Sequence, residues 1–456
     1  MTVGSPWKLI TAFAVPVFLS QLFQQLYNTI DSLIVGKILG TEALAAVSSS
    51  GVLIFFLVSF FTGAAMGAGI VISRYFGAGD TDRVSRAIHT DIALGLVCGV
   101  VLTAIGVAFT PTLLKWMDTD PDVLPEAVQY FRYYFSGAAA IVMYNICKGI
   151  MNALGDSRRP LYYLIFSSVL NVVLDLLFIG VFRWGVWAAA LATTISQAIS
   201  VVLCMIRLCS RNSTFPVVIK KIRFHGDMLS EIIRYGIPSA IQNSVIALAN
   251  VIVQTNINSF GKFATAGYGI YSKIEGFAFL PITSFTMALT TFTGQNLGAG
   301  EHDRAKTGSR FGILASVILA ESIGAVIFLL APILAGMFSD DPVVIEFGVK
   351  QARIEAFFYF LLAFSHAVAA VCRGAGKAFV PMTIMLAVWC VLRITYITVI
   401  MHFYHEIEFI YWAYPITWGI SSVIYMLYYR FSDWIHGFDE KIKEKQPAEK
   451  LKKHKN

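Results

Sequence analysis

Asp31 lies in a polar series, Gln21, Gln24, Gln25, Asn28, Asp31 and Ser32, set in a stretch that is otherwise mostly apolar. The spacings are threes and fours, so at 100° per residue these side chains share an arc of about 120° on one helix. A second carboxylate, Asp175, follows Asn171 by four residues in another apolar stretch, and Thr193 and Thr194 sit in a third. Carboxylate, amide and hydroxyl oxygens are donors for a monovalent cation, and two close carboxylates in a low dielectric can instead share one proton. Counted from outer ends near Gly36, Phe182 and Trp184, Asp31, Asp175 and Thr193 all lie roughly 5 to 9 residues inward, or about 8 to 14 Å. They share one layer, as a cation or proton site would require. The competing reading is a salt bridge from one aspartate, for instance to Arg132.

The elements that carry these residues are membrane helices. Hydrophobic residues make up 57% of the 456 positions and charged residues 14%, with mean hydropathy +0.68, where a soluble chain of this size would hold nearly twice that share of charge. Apolar stretches such as Ile92 to Phe109, Leu161 to Phe182, Phe311 to Leu330 and Val380 to Met401 recur from end to end, each long enough to cross about 30 Å of hydrocarbon. Only short polar segments separate them, which leaves no room for a soluble catalytic domain. The first apolar run is too long and too polar for a cleavable signal. Basic residues gather in alternate loops: Arg74, Arg83 and Arg86; Arg158 and Arg159; Arg207 to Arg223; Arg304 to Arg310; Arg373 and Lys377; and the tail after Arg430. The intervening loops are poorer in them and hold Asp118, Asp120, Asp122, Asp340, Asp341, Glu406 and Glu408. The positive-inside rule then puts both termini in the cytoplasm, with an even number of spans, twelve by count. Loop position accounts for the net charge of +7, so no nucleic-acid partner is implied. The six cysteines lack metal-ligand spacing and read as core residues.

An internal repeat organises the whole chain. Phe-Gly-Ala-Gly-Asp-Thr-Asp-Arg at Phe76 to Arg83 returns as Leu-Gly-Ala-Gly-Glu-His-Asp-Arg at Leu297 to Arg304, with 298 − 77 = 221. Asp120-Pro121 and Asp341-Pro342, Gly155 and Gly376, and Pro160 and Pro381 keep the same offset. Six spans per copy give both copies one orientation, hence an axis along the membrane normal. The expected division is a first lobe over 1–209, a cytoplasmic linker over 210–228, a second lobe over 229–431 and a basic cytoplasmic tail over 432–456. Asn243, Asn250 and Gln254 repeat the polar stripe at an offset of 222, as Pro238 repeats Pro16. Lone amides would be interhelical glue; a stripe in both copies points to the walls of a shared wet cavity. Asp31 has no such counterpart, since Val253 holds its place. The second half adds Lys273, Glu275, Glu321, Glu355 and Arg393, readable either as ion pairs or as substrate contacts, with Tyr271 among the cavity aromatics.

These residues resemble the multidrug and toxic compound extrusion transporters, within them the DinF-like branch, over nearly the whole chain. The resemblance rests on Pro16 and the Gln-rich helix to Asp31 and Gly36, the Gly-Ala-Gly loop ending at Arg83, Ala153 to Asp156 before Pro160, Asn171 with Asp175, and Gly185 to Thr193. It implies an all-α membrane fold of twelve helices in two six-helix bundles. It also implies that Asp31 couples transport to a cation, that Asn171, Asp175 and Thr193 complete the site, and that Pro16 lets the first helix bend. The expected function is export of organic cations or amphiphilic drugs by alternating access, driven by protons or sodium. No cofactor or bound metal is expected beyond a sodium ion at those four residues. The substrate cavity is expected to draw on Gln21, Gln24, Asn28, Asn243, Asn250, Gln254, Tyr271 and Glu275. Ile246 and Leu362 stand where relatives coupled through the second lobe carry acids, which favours the first lobe. The expected setting is the bacterial inner membrane, as a monomer. Flipping of a lipid-linked precursor is the alternative; a membrane enzyme would need a paired acidic magnesium motif or a His-Glu-x-x-His site, and neither is present. A channel is the third class, and counterflow of substrate against an ion gradient distinguishes a transporter from it, since a pore cannot concentrate its solute.

Overall fold

The computed structural model describes residues 1–40, 43, 63, 65–116, 124–211 and 213–436, and every regular element among them is helical. In chain order these are α1 (Pro6–Ile38), α2 (65–77), α3 (Thr81–Trp116), α4 (Leu124–Ser136), α5 (Ala138–Ala153), α6 (Arg158–Asp175) and α7 (Trp187–Cys209). The second copy supplies α8 (Gly226–Asn258), α9 (Lys262–Gly298), α10 (His302–Gly336), α11 (Pro342–Ala356), α12 (Tyr359–Gly374), α13 (Phe379–Met385), α14 (Arg393–Phe403) and α15 (Ile407–Phe431). Among the described residues eight spans are long and apolar enough to cross a bilayer, and α11 with α12, bent by 55° at their junction, makes a ninth if the pair is counted as one broken span. The pair α4 and α5, the aromatic-rich α15, and α2, whose preceding residues mostly lie outside the described set, give the remaining expected crossings a helical counterpart. Asp118, Asp120, Pro121, Asp122 and the tail over 437–456 likewise lie outside it.

The repeat is written into the backbone. Gly40 and Gly261 have φ of 95° and 94°, Gly79 and Gly300 69° and 76°, Gly155 and Gly376 89° and 76°. Each pair is 221 residues apart, and each closes a turn in a left-handed conformation that glycine alone adopts without strain. The motif glycines before those turns do a different job. A Cβ on Gly77 would sit 1.9 Å from the carbonyl oxygen of Gln295, and one on Gly298 would sit 2.1 Å from that of Arg74. Because 295 − 74 is also 221, α2 and α9 meet in a reciprocal contact whose closeness requires both glycines. Asp341 caps α11, accepting the Val343 N–H at 2.9 Å, with Pro342 in the first turn.

The packing divides the chain into two compact units: Pro16–Ile72 with Asp80–Ala240, and Met1–Val15 with Ser73–Gly79 and Ile241–Asn456. The boundaries fall at Pro16 within α1 and just beyond Pro238 within α8, so each of these long helices contributes its first turns to one unit and the rest to the other. The segment between α7 and α8 is fastened within the first unit. Val218 N–H donates to His89 Nε2 at 3.0 Å, while His89 Nδ1 lies 2.6 Å from the Ser85 carbonyl, so both ring nitrogens are engaged. His225 N–H donates to Thr90 Oγ1 at 3.2 Å, and Arg86 pairs with Asp227 at 3.0 Å.

Candidate cation-coupling site

The site in the first unit is built where α1, α4, α6 and α7 bring polar side chains together. α1 accommodates Pro16 at an interior position, where the missing N–H leaves a carbonyl one turn earlier without its helical donor; Ser20 Oγ donates to the Pro16 carbonyl at 2.8 Å. Beyond it, the stripe delivers Gln21, Gln24, Asn28 and Asp31. Gln21, Gln24 and Asp31 are partly buried and Asn28 is exposed. Asp175 is the last residue of α6, and the chain continues from it into a π-helical turn over Leu176–Val181, a widening often found at functional sites.

The Asp31 and Asp175 carboxyl groups lie within hydrogen-bonding reach of each other. Both Asp175 oxygens and Asp31 Oδ1 are enclosed without a donor among the described residues. Asn171, 2% exposed, donates its Nδ2 to Thr193 Oγ1 at 3.4 Å, and its own Oδ1 has no donor either. The four residues therefore form two linked pairs, with bare oxygens where a cation or a shared proton would sit. Two ionised carboxylates enclosed at this range repel strongly, so the pair is stable only with a positive charge between or on them. Arg132, the candidate salt-bridge partner, is exposed on α4. Thr194 packs elsewhere, its Oγ1 only 2.1 Å from where a Cβ on Gly137 would lie at the α4–α5 break.

Three tyrosines join the site unannounced by the sequence reading. Tyr27, one turn before Asp31, hydrogen-bonds Gln24 and Gln197, and the Tyr130 hydroxyl feels the charge of both aspartates. Tyr130 stacks on Tyr134 one turn later, with ring centroids 6.2 Å apart. The i, i+4 pairing of Tyr130 with Tyr134 and of Tyr27 with Asp31 was available in the sequence, but aromatics are too common in membrane helices to stand out.

In the second unit, Asn243 and Asn250 are partly buried on α8 and Gln254 is exposed. Asn250 Oδ1 has no donor among the described residues. Tyr271 is buried and donates its hydroxyl to Glu355 Oε2 at 2.9 Å. Arg393 is buried and binds Thr417 Oγ1 through Nε and Nη2 at 3.1 and 2.7 Å, with its guanidinium 4.3 Å from the Tyr414 ring centre. It acts electrostatically on both Glu275 and Glu355. Lys273 is exposed and lies over Phe338, and Glu321 accepts the Phe360 N–H at 3.0 Å, capping the start of α12.

The MatE family model matches residues 16–177 and again 238–399, the two copies of the repeat. The probable multidrug resistance protein YoeA of Bacillus subtilis (strain 168) is 28% identical over 436 residues, covering 94% of each chain. The FAD transporter of Shewanella oneidensis is 26% identical over 315 residues, covering 68% of this chain and 69% of its own. Among solved structures, the outward-facing conformation of a multidrug resistance MATE family transporter superposes with TM-score 0.88 at 23% identity, over 94% of this chain and 96% of that one.

Proposed function

Because the chain belongs to the MatE family of multi-pass membrane transporters, we propose that it is an antiporter exporting organic cations or amphiphilic drugs, with Asp31 and Asp175 as the coupling site. Several relatives carry multidrug resistance or export in their names, which favours a small, variable substrate. The observation that carries the coupling role is the aspartate pair itself, enclosed, mutually adjacent and without donors for three of its four oxygens. Such a pair binds a cation or a proton from whichever side its lobe opens to. Transport is coupled only if the ion and the substrate differ in their affinity for the two open states. Binding of the ion from outside favours release of the substrate there; loss of the ion to the cytoplasm restores substrate affinity. The same oxygens serve either ion, and the basic loops set the cytoplasmic side of the plasma membrane.

The test is efflux of a fluorescent organic cation from proteoliposomes, with proton and sodium gradients imposed separately. One gradient drives concentrative efflux under this reading. Efflux indifferent to both overturns it.

A further inference from the structure

The first unit's site has a counterpart in the second repeat that the function above does not use. In the first copy α4 and α5 are joined through Gly137; in the second α11 and α12 are joined through Phe357 and Phe358, and 358 − 137 = 221. Carried across that offset, Tyr130 becomes Gln351, Tyr134 becomes Glu355 and Thr193 becomes Tyr414. The places that surround Asp31 and Asp175 in one copy thus hold an acid, an amide and a phenol in the other. Both constellations also border a π-helical turn, since Arg393 directly follows the one over Leu386–Leu392 as Asp175 directly precedes its own.

We infer that the second repeat carries a separate exchangeable-proton site, in which Glu275 and Glu355 hold one proton between them and Arg393 is the resident counter-charge. Glu355 is fully buried. Its Oε2 accepts from the Tyr271 hydroxyl at 2.9 Å and its Oε1 from Gln351 Nε2 at 2.7 Å. Glu275, one turn beyond Tyr271 on α9, is close enough to act on Glu355 electrostatically. The other groups facing the pair are Tyr268 on α9, Tyr359 on α12, Arg393 on α14, and Tyr411 and Tyr414 on α15. Arg393 is the single cation among them. Two carboxylates against one guanidinium leave −2 + 1 = −1, and one proton closes that balance. With Glu355 and Arg393 buried and Glu275 half-buried, an unpartnered net charge here is disfavoured, so the proton is the stable occupant.

A second observation points to an occupant beyond the acids. Gln351 Oε1 and the Tyr411 hydroxyl, both fully buried, have no partner among the described residues, and Tyr411 feels the Glu355 charge. A proton fits better than a metal ion. Both Glu355 oxygens already accept hydrogen bonds, and the guanidinium repels a second cation, whereas protonation adds only an O–H bond, with the proton supplied by water. Arg393 is a positioning residue here, held by Thr417 and Tyr414.

Infrared spectroscopy of the purified full-length protein in lipid reads the buried carboxylic acid directly. In Asp31→Asn/Asp91→Asn/Asp175→Asn, which removes the first site and the other buried aspartate, a protonated carboxyl band remains and rises and falls reversibly with pH. Glu275→Gln and Glu355→Gln each abolish it, and Arg393→Met about doubles it, because both acids must then be neutral. Should Glu355→Gln fold poorly, Glu275→Gln, at a partly exposed position, reports on the same band. Absence of the band in the aspartate variant, its persistence in Glu275→Gln, or its indifference to pH overturns the proposal. Because the aspartates are absent throughout, failure of the first unit's coupling role leaves this readout unchanged.

Discussion

In the proposed function Asp31 and Asp175 act on one ion, and that fixes how their variants combine. Asp31→Asn and Asp175→Asn are each expected to lower gradient-driven efflux at least about tenfold, and the double variant to be no worse than the worse single, since coupled sites are non-additive. Purely additive losses in proteoliposome efflux would mean two independent roles. Tyr27→Phe removes one hydroxyl that bonds Gln24 and Gln197; at about 1 kcal/mol for such a bond, efflux is expected to fall by roughly fivefold while ion selectivity is kept. Asp31, Asn171 and Asp175 were legible in the sequence because a carboxylate or amide in an apolar stretch is costly and therefore conspicuous. The tyrosines around them were not, because a phenol is at home in either lipid or core. The second-half charges were legible only as a set: nothing in their spacing says that Lys273 turns outward to Phe338 while Arg393 is buried beside Glu275 and Glu355.

Among the elements, the duplicated Gly-Ala-Gly motif was recognisable as a landmark, but its reason appears only when α2 and α9 are seen to touch. Gly77→Ala and Gly298→Ala each press a methyl against a backbone carbonyl that cannot turn aside, at a cost of about 1–3 kcal/mol. Both variants are expected to lower the melting temperature in detergent, whereas Gly226→Ala, in open space, leaves it unchanged. The segment between α7 and α8 makes a second prediction. Burial, then the nearby Arg223 and Arg86 guanidiniums, hold His225 below the usual histidine pKa, so in the folded state it resists protonation. Below about pH 6.5 the unfolded form takes up a proton that the folded form does not, and the stability of this attachment falls with acidification. Hydrogen exchange over 217–225, corrected for its intrinsic rate, should quicken on mild acidification and lose that response in His225→Asn. The π-helical turns beside Asp175 and Arg393 had no sequence signature, because an extra residue in a helical turn depends on what the widened turn packs against.

At the scale of the whole molecule, the repeat was the most legible feature, since offsets of 221 and 222 residues survive in glycines, prolines and loop charges alike. The membership of the two compact units was less so. A linear reading cuts the chain at the linker, while packing cuts inside α1 and α8 near Pro16 and Pro238, prolines that the repeat marks without saying that packing changes there. The charge asymmetry of the loops predicts orientation: a cysteine placed at Thr307, beside Arg304 and Lys306, should react with a membrane-impermeant thiol reagent only in inside-out vesicles, and one at Lys262 only in right-side-out ones. The central claim, that the aspartate pair ties substrate to ion, is tested most directly by running the exchange backward. A gradient of organic cation is imposed across proteoliposomes, and the opposing movement of protons or sodium is read with an internal ion-sensitive dye. Wild type should move one of these ions against the substrate, and Asp31→Asn should move neither. Equal ion movement in Asp31→Asn, or substrate movement in wild type without any ion, would contradict the account.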